Sequence, residues 1–148
     1  MATRSYIAMK IGENTYNGVY CHYDGYLDYN GLMLYEHYNT KERVEELISL
    51  GNISSLHEKI APEEGSHHSF DNPQPGVTVF YGRDRGEEGQ EAFICTEEEL
   101  KDTDSWIEYI YVFDNGKWYY SVITRLGFTD FMPLEPAIIK IKERRNLQ

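Results

Sequence analysis

An α+β fold, a mostly antiparallel sheet with one or two short helices packed on it, is predicted by three observations. Two aromatic and β-branched runs, residues 106–114 and 117–125, flank Asn115-Gly116, the strongest two-residue hairpin signal in the chain. A second pair of runs, 5–11 and 16–24, is joined by the turn-forming sequence Gly12-Glu13-Asn14-Thr15. Between the pairs, residues 41–50 carry Val44, Leu47 and Ile48 on one helical face, behind the N-cap candidates Asn39-Thr40 and ahead of Gly51.

At 148 residues, 41% apolar and 14% aromatic, the chain is the size of one domain, taken as 1–148, with enough apolar surface for a core. Thirteen tyrosines outnumber the six phenylalanines and two tryptophans, a surplus of amphipathic rings suited to binding surfaces. The net charge of −11 argues against direct nucleic-acid binding and against anionic membranes, both of which need a basic face. The first ten residues hold no apolar run of secretory length and no later stretch approaches a membrane span, so a cytoplasmic protein is expected. Cys21 and Cys95 fit neither a Cys-x-x-Cys motif nor a disulfide scaffold and read as reduced thiols.

In chain order, the first site candidate follows the opening hairpin. If residues 19–24 are strand, Tyr20, His22 and Asp24 share one face, Val19, Cys21 and Tyr23 the other, and Gly25 supplies the turn. A half-buried aromatic strand whose His22 and Asp24 bond each other or nearby backbone is the structural alternative. Leu27 to Gly31 is turn-like, and Leu32, Leu34, Tyr35 and Tyr38 form a short helical stripe. Beyond the 41–50 helix, Ile53, Leu56 and Ile60 are packing residues, and residues 61–75 form a polar loop, expected to be flexible. His67, His68 and Asp71 in it are weak metal candidates, more simply solvated, and no metal or other cofactor is expected.

Residues 76–81 read as strand and run into the second candidate, Tyr81-Gly82-Arg83-Asp84-Arg85-Gly86-Glu87. Arg83 and Arg85 are the only cations between Lys59 and Lys101, and forked donors among glycines suit a phosphate or carboxylate, although the spacing fits neither phosphate-loop nor dinucleotide fingerprints. A loop that neutralises its own charges explains them equally well. A brief strand at 92–95 leads to Thr96-Glu97-Glu98-Glu99, a capping box opening a short acidic helix. In the 106–125 hairpin the two-residue turn pairs Phe113 with Trp118, Tyr111 with Tyr120 and Tyr109 with Val122. Aromatic rings on both of its faces suggest a homodimer. Pro133 and Pro136 delay regular structure until Ala137, where a short basic helix or edge strand closes the chain.

Tyr20-Cys21-His22-Tyr23-Asp24-Gly25-Tyr26, Ile53-Ser54-Ser55-Leu56, the 81–87 cluster and the opening Ala2-Thr3-Arg4-Ser5-Tyr6-Ile7 together resemble a family of small uncharacterised bacteriophage and prophage proteins. Where that family often has tryptophan this chain has Tyr23, and where proline often follows Tyr26 it has Leu27. The resemblance covers most of the first hundred residues and implies a phage-derived protein in a bacterial cytoplasm, without a reaction.

Three functions follow. The first is an accessory protein that inhibits or sequesters a host component, in keeping with counter-defence. Its partner is either a host protein met by an acidic strip (Glu87, Glu88, Glu91, Glu97 to Glu99, Asp102, Asp104) or a nucleotide-like small molecule. The small-molecule pocket would use Tyr20, His22, Asp24, Tyr26, Arg83, Asp84, Arg85 and Glu87. The second is a hydrolase or transferase with His22 as base, Asp24 orienting it and Arg83 or Arg85 stabilising charge, or with Cys21 as a weaker nucleophile. The third is a structural or assembly protein. The sharpest expectation is that the 20–26 and 83–87 clusters meet at one site.

Overall fold

In the computed structural model, which describes residues 2–146, the chain opens with the expected hairpin of β1 (Ser5–Gly12) and β2 (Thr15–Cys21). Met1, Leu147 and Gln148 of the expected domain lie outside the described residues. A π-turn at Leu27–Gly31 leads into α1 (Leu32–His37) and then α2 (Lys41–Ser49), whose Thr40 side chain accepts from Arg43 N–H as the N-cap reading requires. Next come β3 (Ile53–Ser55), β4 (Val79–Phe80), α3 (Tyr81–Arg85), β5 (Phe93–Cys95) and α4 (Glu97–Leu100), the last opened by the predicted capping box of Thr96 and Glu99. The second hairpin, β6 (Tyr109–Asp114) with β7 (Lys117–Thr124), has the predicted register, Phe113 opposite Trp118 and Tyr111 opposite Tyr120. The short strands β8 (Gly127–Phe128) and β9 (Met132–Pro133) pair back onto β7 before α5 (Leu134–Asn146).

The fold is α+β, but the sheet is larger than expected and mixed. Its order is β4-β3-β2-β1-β6-β7-β8, with β5 also on β2 and β9 also on β7. The β1–β6 pairing is parallel, and β3 meets β2 in parallel at Cys21 and Ile53. A parallel pair needs a long crossover, which the segment between the two hairpins supplies, so local turn signals do not reveal it. Because β1 is antiparallel to β2 and parallel to β6, the residues before β1, after β2 and before β6 all lie at one end of the sheet.

Alternation along β1 and β6 sorts the core onto two faces. On one face Ile7, Met9, Val19, Cys21, Tyr111, Phe113 and Trp118 pack with Leu34 of α1, Val44, Leu47 and Ile48 of α2, and Leu134, Ile138 and Ile141 of α5. On the other, Ala8, Tyr16, Ile110 and Val112 pack with Leu100, Ile107, Phe93, Phe128 and Phe131. The cover that the hairpin's rings called for is thus found within the chain for Tyr111, Phe113 and Trp118.

Three local expectations are corrected. The second strand ends at Cys21 rather than Asp24, because Asp24 takes a left-handed backbone with φ of 59°. The strand expected at 76–81 contracts to Val79–Phe80, and Tyr81, expected to end that strand, forms with Gly82 to Arg85, read as loop, one helical turn closed by Gly86 at φ 76°. The tail is a full helix from Leu134 that holds Pro136 in its first turn, where no N–H is needed.

Candidate ligand-binding site

His22 and Tyr23 leave β2 but stay fastened to the sheet, their N–H groups donating to the carbonyls of Ile53 (3.0 Å) and Ser54 (3.0 Å). The buried Asn30 amide donates to the Tyr23 carbonyl at 3.2 Å, which turns the chain sharply away. Gly25 is required by close approach: a Cβ there would stand 2.7 Å from the Thr3 carbonyl oxygen. The left-handed residue of the turn is Asp24 itself.

The strand-end chemistry of the first cluster is a relay. Arg4 Nε donates to the Tyr20 hydroxyl oxygen at 3.1 Å, and the same hydroxyl lies 2.6 Å from His22 Nδ1. With its oxygen receiving Arg4, the hydroxyl proton is directed at His22, which assigns the neutral ring a proton on Nε2. Burial, with a smaller contribution from the Arg4 charge, pushes the His22 pKa below its ordinary value, so the ring is uncharged at neutral pH.

His22, Tyr23, Ser54, Ser55, Phe70, Pro73, Val79, Tyr81 and Arg85 line a cleft of about 480 Å³. Its rings are positioned by the loop and by α3: Phe70 and Tyr81 lie 5.8 Å apart between centroids, and the Arg85 guanidinium stacks 4.8 Å from the Phe70 ring. Arg85 is 55% exposed and pairs loosely with Glu87 at 3.5 Å. The walls are therefore aromatic, and the donors are an imidazole N–H, two serine hydroxyls and one accessible guanidinium. That set matches a flat ring carrying an anionic group.

The two sequence clusters contribute unequally. From the first, His22 reaches the cleft and Tyr20 stands behind it; from the second, Arg85 reaches it and Glu87 stands beside Arg85. Arg83 and Asp84 do not line the cleft. Arg83 donates to the carbonyls of Ile60 (2.7 Å) and Thr78 (3.0 Å) and to Asp84 Oδ1 (2.9 Å), and lies over the Phe80 ring. The Asp84 side chain, 4% exposed, also accepts from Phe80 N–H (2.8 Å) and from His68 Nε2 (3.2 Å). Burial alone would raise its pKa, but the Arg83 and Phe80 hydrogen bonds with the Arg83 and His68 charges outweigh burial and hold it below the ordinary carboxylate value.

Asp24 and Tyr26 are also elsewhere engaged: the Tyr26 hydroxyl donates to Asp24 Oδ1 at 3.0 Å, and the Asp24 carbonyl accepts from Asn30 N–H. No hydrogen bond joins Asp24 to His22 among the described residues, because the left-handed turn carries the carboxylate off the strand face that alternation assigned to it. The Cys21 thiol is fully buried and pushed up to about 12, which leaves no thiolate for nucleophilic work. The His67, His68 and Asp71 trio does not converge: His68 turns inward to Asp84 and Gln74 N–H, and no group of metal-ligating side chains assembles among the described residues.

Tyr23, Ser54, Ser55, Phe70, Pro73 and Val79 line the cleft without having been read as site residues, and Tyr81 opens the second cluster but was not among the expected pocket residues. The one available signal was Phe70, a lone aromatic residue inside a polar loop. Grooves of about 490 and 500 Å³ at the opposite, hairpin-tip end of the sheet mix Lys117 with Glu135 and Lys10 and Lys41 with Glu45, and hold neither histidine nor arginine. Comparison with protein-family models, curated proteins and solved structures returned no match, so the functional reading rests on the chain's own residues.

Proposed function

We propose that this is a binding protein and not an enzyme: a small acidic accessory protein of phage origin that sequesters a nucleotide-like small molecule of the host bacterial cytoplasm. One observation carries the reading: His22 and Arg85, from two distant clusters, line a single aromatic-walled cleft with an open donor on each. The rings supply stacking area, and Arg85 with His22 Nε2–H supplies charge-assisted and neutral donors for a phosphate. Catalysis is the weaker reading because neither companion it requires is in place. Asp24 does not orient His22, and Cys21 is sealed in the core.

Thermal melting of the full chain with millimolar adenosine, AMP and GMP tests this. AMP or GMP should raise the melting temperature where adenosine does not, and Arg85→Ala should abolish the shift. Absence of a shift with all three overturns the small-molecule reading. A host protein captured in a salt-sensitive manner, and lost on charge reversal of Glu87, Glu88 and Glu91, would put the acidic strip in its place.

A further inference from the structure

A second cleft, of about 490 Å³, lies at the same end of the sheet and is lined by Arg4, Tyr20, Ser105 and Trp106. Its location follows from topology: Arg4 precedes β1, Tyr20 is near the end of β2, and Trp106 precedes β6. Tyr20 belongs to this cleft and His22 to the first, and their 2.6 Å hydrogen bond makes the pair the partition between the two. The new cleft repeats the chemistry of the old one, with a ring to stack on, a hydroxyl and an arginine. Arg4 uses Nε on Tyr20 and forms no ion pair among the described residues, which leaves the fork of its guanidinium for a ligand.

Trp106 is the unusual member. It is 79% exposed, the largest apolar side chain in the chain placed almost wholly in water, and its backbone is left-handed with φ of 66°. A bulky residue held in that conformation is strained, and strain of this kind concentrates at ligand contacts. Neither core packing nor a hydrogen bond of its indole accounts for the placement among the described residues.

We propose that the two clefts form one bipartite site for a dinucleotide, two bases joined through phosphate, with one base against Tyr23, Phe70 and Tyr81, the other on Trp106, and the linking phosphate near His22 between Arg85 and Arg4. The proposal rests on the nucleotide reading of the His22 cleft and adds the length of the ligand. Charge sets that length. Asp102, Asp104 and Glu108 are exposed on the segments that carry Trp106, and the chain as a whole is at −11, so a long polyanion is repelled where a ligand of one or two phosphates is held by the two arginines.

Isothermal titration of the full chain with AMP, the linear dinucleotide pApA, cyclic di-AMP and a ten-residue oligoadenylate tests the length. At least one dinucleotide should bind 100-fold or more tightly than AMP, because its second unit binds at a high effective concentration, and Trp106 fluorescence should be quenched by it. Trp106→Gly, which keeps the left-handed backbone, should bring the dinucleotide to the AMP level while AMP affinity at the His22 cleft stays within twofold, and Arg4→Gln should weaken the dinucleotide at least tenfold. Equal affinities for AMP and both dinucleotides, or full dinucleotide affinity in folded Trp106→Gly, overturn the bipartite site and leave the nucleotide reading standing. No binding of any probe overturns both. An oligoadenylate bound more tightly than either dinucleotide overturns the length limit and marks a single-strand platform.

Discussion

After β2, His22 engages one ring nitrogen through Tyr20 and keeps the other available at a cleft, whereas after β4 the Arg83 guanidinium and Asp84 carboxylate are surrounded by backbone partners that use their hydrogen-bonding capacity. Both clusters are polar, glycine-bearing and placed at strand ends, so from composition they look alike. What separates them is the loop at 61–75. It offers unpaired carbonyls at its margins and His68 in its middle, and Arg83 and Asp84 close over them: Phe70 N–H donates to the Asp84 carbonyl, and Arg83 takes the Ile60 carbonyl. The second cluster thus holds a loop in place, and only Arg85, one residue further along, faces outward. A charged residue near a cleft is open to a ligand only to the extent that the fold leaves its donors unmatched.

Removing Asp84 should break the comparison most severely. Its carboxylate organises Arg83, His68 and the first turn of α3 from a buried position, so Asp84→Ala should cost about 3 kcal/mol, the scale for stranding a buried charge partner. Urea unfolding measures it, and a loss well under half of that would show the cluster to be ornamental. The acid limb gives a second readout. Because the folded carboxyl titrates below its unfolded value, its contribution is complete above the unfolded pKa near 4 and disappears as pH falls through the lower folded value. Asp84→Ala should lack that component and lose stability less steeply in acid.

The arginines sharpen the contrast at smaller cost. Arg83→Ala should destabilise by about 2 kcal/mol, since it leaves the Ile60 and Thr78 carbonyls without a charged donor and Asp84 without its cation. Arg85→Ala should stay within about 0.5 kcal/mol, as expected for an exposed side chain, while removing the nucleotide-dependent melting shift. Equal destabilisation by both would erase the distinction between a fastening arginine and one left open at the cleft.

How far the sequence reveals this arrangement depends on the range of the interaction. The Asn115-Gly116 hairpin, the Thr40 cap and the Thr96–Glu99 box are set by residues a few positions apart, and each forms as read. The parallel β1–β6 pairing depends on partners about a hundred residues apart and leaves no local mark. Asp24 illustrates the intermediate case. Period-two alternation put it beside His22, but the contact of Gly25 with the Thr3 carbonyl and the hold of Asn30 on Tyr23 turn the chain first. His22 and Arg85 were legible as candidates because their types and strand-end positions fit a site. That Arg83 would be used on backbone was not legible, since its acceptors come from Ile60 and Thr78.

The smallest effect expected is also the most specific to the open cluster. Arg4 reaches His22 only through the Tyr20 hydroxyl and by its charge, and that charge is the secondary reason, after burial, that the imidazole titrates below its usual value. In Arg4→Gln the charge is gone while a donor to Tyr20 remains, so the His22 pKa should move upward toward its ordinary value, readable from its ring resonances in an NMR titration. The sign for stability follows. A histidine whose folded pKa is depressed contributes fully above its unfolded pKa, and that contribution falls away as pH drops toward the lower folded value, so Arg4→Gln should be the less acid-sensitive protein as pH falls below the unfolded histidine value of about 6.5. Arg83→Ala should leave the His22 titration unmoved, because the Arg83 guanidinium is directed into the Ile60, Thr78 and Asp84 cluster and is not among the causes of the His22 shift. If instead Arg83→Ala shifted His22 as much as Arg4→Gln did, the two clusters would be electrostatically one, and the division between a fastening half and an open half would have to be redrawn.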